Sequence, residues 1–223
     1  IETPDQDSLK VTQKYQNNRN PLVEACHKIN QAGLLIYAGF IIGFDGERSG
    51  AGERIQAFVE ETSIPQPMLG ILQAPPNTAL WERLKKEQRL IEDGECLKTG
   101  DQNTLMNFVP TRPLAEIARE YVSALWSMYE PTTYLKRCLN HCLNITPNPY
   151  LQQQVYVSPR KGIRLLMKLI WRQGILASDI RRQFWQQFLE IGLKRSQFLT
   201  IYLGLCAAGE HFLEYRVLAR ERI

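Results

Sequence analysis

Residues 20–42 constrain this chain more than any other stretch, because they hold a capped amphipathic helix, one glycine and nine nearly uninterrupted apolar residues. Asn20 can cap a helix and Pro21 can start it, while Leu22, Cys26, Ile29 and Ala32 recur at three- and four-residue steps. Gly33 then supplies the residue without a Cβ that a helix end favours. The run Leu34–Ile42, LLIYAGFII, has the composition of a strand covered on both faces. Helix, one-residue stop and buried strand together predict a parallel βα unit.

The order repeats once. After a turn at Asp45-Gly46, residues Ala51–Thr62 place Ile55, Phe58 and Val59 on one helical face, and Met68–Leu72 follows as a short strand before Pro75-Pro76. Asn77 or Thr78 can cap a third helix carrying Leu80 and Leu84 and reaching towards Leu90. Glu92–Asn107 is polar, with Gly94 and Gly100, and is expected to be a long loop. Beyond it strand signals vanish. Pro113 opens a helix with Leu114, Ile117, Tyr121, Leu125 and Met128 on one side, and Pro131 opens another towards Asn144. A proline-broken loop over Ile145–Pro159 precedes helices expected at Arg160–Gln173, Ser178–Glu190 and Ser196–Arg220. The expected class is α/β then α, with one domain over residues 1–110 and an α-helical domain over 111–223.

Charge follows the same division. Residues 1–110 carry 11 Lys and Arg against 15 Asp and Glu, whereas 111–223 carry 16 against 8, so an acidic half precedes a basic one. No stretch approaches the ~18 consecutive apolar residues of a membrane span, and no signal peptide is recognisable. Cys26, Cys96, Cys138, Cys142 and Cys206 form an odd, scattered set that favours reduced thiols and a cytoplasmic setting. The sequence opens on Ile1 in an apolar, strand-like start, which leads to the expectation of a processed or incomplete chain.

In parallel α/β folds ligands meet the C-terminal ends of strands and the loops after them. Three places qualify. Glu2-Thr3-Pro4-Asp5 offers a carboxylate that can accept hydrogen bonds from ribose hydroxyls or an α-amino group, or that simply caps the next helix. Gly39-Phe40-Ile41-Ile42-Gly43-Phe44-Asp45-Gly46-Glu47 offers glycines that let a flat ring approach the backbone and Ile41 to pack on it, or glycines that merely relieve a turn. Gln73-Ala74-Pro75-Pro76-Asn77-Thr78 offers main-chain groups to a base edge, or a proline-rich turn that caps a helix.

In this order the segments IETPD, GFIIGFDGE and PPNTAL resemble the later part of the radical S-adenosylmethionine barrel. There a strand ending in an IE-type motif precedes a GxIxGxxE-like strand and then a strand leading to a P-x-T-x-L turn. More narrowly, IETPDQDSLKVTQKYQN, GFIIGFDGE, and NFVPTRP followed by LWSMYEPTTYLKR resemble the cobalamin-binding branch with its helical C-terminal domain, over roughly residues 1–140. The resemblance implies a partial (β/α) barrel made of late strands, followed by that helical domain. It implies a full-length parent that carries a [4Fe–4S] cluster and cobalamin, and that cleaves S-adenosylmethionine reductively to a 5′-deoxyadenosyl radical. The implied activity of the parent is methylation of an unactivated or lipid-like carbon. On this resemblance Glu2 approaches the ribose or methionine end, Ile41 the adenine, and Gly39 and Gly43 make room; Thr3 and Gln73 complete the cofactor-binding candidates. Glu47 stands one residue further from Gly43 than the family pattern has it and belongs to the following turn.

The family holds its cluster with a CxxxCxxC loop, since three thiolates must converge on three irons. No such loop occurs here. Cys138-Leu139-Asn140-His141-Cys142 reproduces one step, but Ile145 stands where a third thiol is needed. Cys138, His141 and Cys142 are expected to share one helix face, as a packed helix surface or as zinc ligands with a distant fourth. The spacing lacks a recognisable zinc pattern, so no metal ligand set is expected. The chain alone is therefore expected to be inactive and to depend on a missing N-terminal half, in the same polypeptide or a separate one. Hydrolase and kinase readings lack their motifs. A non-catalytic interaction module that retains half a barrel is the alternative.

Lys161, Arg164, Lys168 and Arg172 step along one expected helix with Leu165, Leu166, Leu169, Ile170 and Trp171 between them. Such a helix faces the core with a solvated cationic side, or lies on an anionic membrane surface or docks on an acidic partner surface. Specific nucleic-acid binding is not expected, because no recognised motif accompanies the charge.

Overall fold

The computed structural model describes residues 2–4, 21–91, 106–148 and 159–223. Among them the chain runs α1 (Leu22–Gln31), β1 (Tyr37–Ile42), α2 (Ala51–Thr62), β2 (Gln66–Ile71) and α3 (Ala79–Lys86). It continues through α4 (Leu114–Met128), α5 (Pro131–Asn144), α6 (Pro159–Leu169), a π-helical stretch (Ile170–Leu176), α7 (Arg181–Lys194), a 3-10 turn (Ser196–Phe198) and α8 (Leu199–Arg222). The fold is mixed and mostly helical, with a parallel sheet of two strands.

α1 ends as the sequence predicts, with Gly33 at φ 78°. A side chain is also excluded there, since an added Cβ would lie 2.6 Å from the Thr146 carbonyl oxygen. The strand that follows takes only the last six residues of the apolar run, and among the described residues one of its faces is only partly covered. Its side chains alternate, as a strand's must. Ala38, Phe40 and Ile42 are buried, Tyr37 is 68% exposed, and Gly39 and Ile41 are half-buried. β2 repeats the pattern: Pro67, Leu69 and Ile71 are buried, whereas Gln66, Met68 and Gly70 look out on the other face. The register sets Gly39 opposite Met68 and Ile41 opposite Gly70. One side of the sheet is thus core and the other is open among the described residues.

The buried side packs on α2 and α4. Phe40 meets Phe58 edge to face at 5.9 Å, and the Tyr129 hydroxyl at the end of α4 donates to the Pro67 carbonyl at 2.6 Å. α2 and α4 approach closely because Gly52 has no side chain; an added Cβ would lie 2.7 Å from the Glu120 carbonyl oxygen. One hydrophobic cluster then continues through α5, α7 and α8. Within it Arg137 is 1% exposed, paired with Glu60 at 2.6 Å, donating to the Met128 carbonyl at 2.8 Å and lying over the rings of Tyr129 and Tyr134.

The three predicted C-terminal helices occur with shifted bounds, and the first gives way to π-helical winding. Gln173 is buried within this stretch. Its amide donates to the Cys206 carbonyl at 3.0 Å and to Glu210 at 2.8 Å, while Gly174 lies buried under the Trp185 ring. The expected loops over Glu92–Asn107 and Ile145–Pro159 fall mostly outside the described residues, as does Asp5. No helix among the described residues is long and apolar enough to cross a membrane.

Candidate functional site

The three places singled out in the sequence come together at one end of the sheet. The Glu2 carbonyl accepts from the Ile41 N–H at 2.8 Å, which sets Glu2–Pro4 beside β1. Leu72, just after β2, donates to the Ile42 carbonyl at 2.9 Å, so the Gln73 turn leaves from the same end. Glu2, Ile41 and Gln73 are half-buried and Thr3 is buried. The strands are parallel, and their C-terminal ends, where ligands collect in such sheets, are shared by all three segments.

Gly39 and Gly70 lie on the open face in adjacent strands. A Cβ added at either would find nothing within 4 Å, and neither has the positive φ that excludes other residues. A glycine inside a strand weakens it. No contact in the described chain requires these two, so they leave two positions free of side chains on that face, Gly39 opposite Met68 and Gly70 opposite Ile41. Gly43 differs: it has φ 104°, and an added Cβ would lie 2.5 Å from the Met106 methyl. The room beside Gly43 is filled by this chain itself.

Glu47 fixes the turn after β1. Its side chain is fully buried, one oxygen accepts from the Gly43 N–H at 2.7 Å, and Arg112 lies 3.3 Å away. The other oxygen has no hydrogen-bond partner. Burial raises its pKa to about 7, against the opposing pull of the Gly43 amide and Arg112 and with a further push from Glu120. Arg112 also pairs with Glu116 at 2.7 Å and with Glu120. Glu120 in turn accepts from the Gly50 and Ala51 N–H groups at 2.8 and 3.0 Å. A carboxylate from α4 thereby caps the N-terminus of α2, which has no side-chain cap of its own.

Two more contacts position the site. Asn107 makes a two-way bridge to Ala74, accepting from its N–H and donating to its carbonyl, both at 2.9 Å, which pins the turn after Gln73. Asp45 pairs with Arg83 and Arg89, each at 2.7 Å; although burial opposes it, these guanidiniums hold its carboxyl below the ordinary value.

Cys138, His141 and Cys142 do share one buried helix face. Burial pushes both thiols up to about 12 and lowers His141 to about 4, so they stay neutral as core groups do. Among the described residues no group of three His, Cys, Asp or Glu could hold a metal ion, and the described cysteines are free thiols.

Residues 78–223 match the family described as a domain of unknown function, DUF4070. The whole chain is 46% identical, over 223 residues, to a protein of Synechocystis sp. named an uncharacterized methyltransferase, of which it spans 41%. A second relative, the hopanoid C-2 methylase of Rhodopseudomonas palustris, is 30% identical over 195 residues, which cover 83% of this chain and 34% of that protein. The chain thus spans less than half the length of either relative. No solved structure matches. With more than half of its length matched, the chain belongs to the DUF4070 family.

Proposed function

We propose that this chain forms the late, cofactor-facing part of a radical S-adenosylmethionine methylase whose remaining parts, including an N-terminal half, lie outside these 223 residues. The observation that carries the reading is the pair of strand glycines, Gly39 and Gly70, kept without any internal steric need on the face that is open at the C-terminal ends of parallel strands. Positions free of side chains suit a purine ring, because glycine lets a ligand approach the backbone closely. Ile41 supplies apolar contact beside it. The Glu2 carboxylate suits hydrogen bonds from ribose hydroxyls or an α-amino group, and Thr3 stands next to it. The Gln73 turn, pinned by Asn107, offers main-chain groups to a base edge. Two relatives with methyltransferase and methylase in their names support the reaction class, as does the resemblance of IETPD, GFIIGFDGE and PPNTAL to the radical S-adenosylmethionine barrel.

The described residues fit S-adenosylmethionine but not the iron–sulfur cluster. The described thiols are buried and form no three-ligand group. In this reading the cluster and the cobalamin are held by the rest of the parent, and the bound S-adenosylmethionine supplies the radical chemistry that unactivated carbon requires. The contribution of this chain is to bind, orient and shield the cofactor.

Anaerobic reconstitution with iron and sulfide tests the division of labour. The full-length protein should gain a [4Fe–4S] spectrum and cleave S-adenosylmethionine, and residues 1–223 alone should do neither. A full-length protein that does neither, or a fragment that does both, contradicts it.

A further inference from the structure

α6, the π-helical stretch and α7 do not bury all of their apolar side chains. Ile163, Met167 and Trp171 follow one another at four-residue steps and are 63%, 62% and 58% exposed, and Ile175 and Leu176 extend the row at 46% and 62%. On α7 a second row, Trp185, Leu189 and Leu193, is 36%, 58% and 86% exposed. The two rows meet where the Trp185 indole N–H donates to the Gly174 carbonyl at 2.9 Å, next to Ile175. A row of this size left in water marks an interaction surface.

Charge identifies the partner. Residues 159–195 carry nine Lys and Arg against two Asp and Glu. Part of that charge is neutralised, with Arg172 paired to Glu210 at 3.0 Å and Lys194 to Glu190 at 2.7 Å. Arg164, Lys168 and Arg182 are exposed and pair with no described acidic residue. Long cationic stems can lie along apolar surface and carry their charge to its edge, and Trp favours the boundary between apolar and polar layers. A second copy of the same cationic face would repel this one, and a nucleic acid would cover the charge but leave the two apolar rows in water.

We propose that this surface docks on an anionic lipid bilayer, with the rows led by Met167, Trp171 and Leu193 entering the headgroup layer and Arg164, Lys168 and Arg182 facing lipid phosphates. Docking is peripheral, in keeping with the absence, among the described residues, of a helix able to span a membrane. The proposal needs neither cofactor nor catalysis, so it can fail or stand independently of the methylase reading.

Flotation of the full-length protein with phosphatidylcholine vesicles, with and without phosphatidylglycerol, tests it. The protein should partition at least about tenfold more strongly into the anionic vesicles, and a rise in salt should weaken the partition. The double substitution Met167→Glu/Trp171→Glu should weaken it by at least about tenfold. Leu193→Glu, at a position 86% exposed where folding does not depend on burial, should weaken it as well with an unchanged circular dichroism spectrum. Two results overturn the proposal: no partition of the wild type, or wild-type partition by both variants.

Discussion

Glu47 stores a titration inside the fold. Unfolded, its carboxyl ionises near the ordinary 4.5; folded, it keeps its proton up to about 7 because burial disfavours the charge. The folded state therefore binds the proton more tightly, and this group's contribution to stability is full below about pH 4.5 and declines as pH rises to about 7. Glu47→Gln keeps an acceptor for the Gly43 N–H and removes the decline, so urea unfolding at about pH 5 and about pH 8 should differ less in the variant than in the wild type. An equal difference in both would refute the assignment. Glu120→Ala should cost about 1–2 kcal/mol, the usual loss for a helix cap, read from the same urea curves. The sequence displays Glu47 beside its glycines, but Arg112 and Glu120 stand 65 and 73 residues further on, and no local pattern joins them to it.

At the scale of elements, the helix, stop and strand units were legible because capping, glycine and apolar periodicity are local signals. The open face was not. LLIYAGFII is apolar at positions on both faces, so composition alone predicts a strand covered on both sides, whereas among the described residues Tyr37 is exposed and Gly39 and Ile41 are only half-buried. Gly70 escaped notice for the same reason: within QPMLGI it looks like one small residue in an apolar run until the register places it opposite Ile41. The π-helical winding of Ile170–Leu176 also lacked a local signal, and the contacts of Gln173 within it reach residues far away in the sequence, Cys206 and Glu210. Packing between elements is equally specific. Gly52→Ala would drive a methyl group to within 2.7 Å of the Glu120 carbonyl oxygen, and should destabilise the fold by about 1–3 kcal/mol through forced separation of α2 and α4. A melting temperature equal to the wild type would show that the two helices can part without cost.

At the scale of the whole molecule, one core among the described residues joins the sheet to the helical C-terminal region, while Glu2, Ile41 and the Gln73 turn lie towards one end of the sheet and Gly39 and Gly70 on its less buried face. The family resemblance in the sequence located the segments; the register of two strands made a surface of them. Equilibrium binding of S-adenosylmethionine to the full-length protein, wild type against Gly70→Val, tests that surface most directly. A β-branched residue favours a strand, and the Cβ at this position meets nothing within 4 Å, so the fold should melt no lower than the wild type. On the proposed reading the added side chain would stand where the purine packs, and affinity should weaken by at least about tenfold, on the order of 1.4 kcal/mol. Unchanged affinity in a stably folded Gly70→Val protein would contradict it.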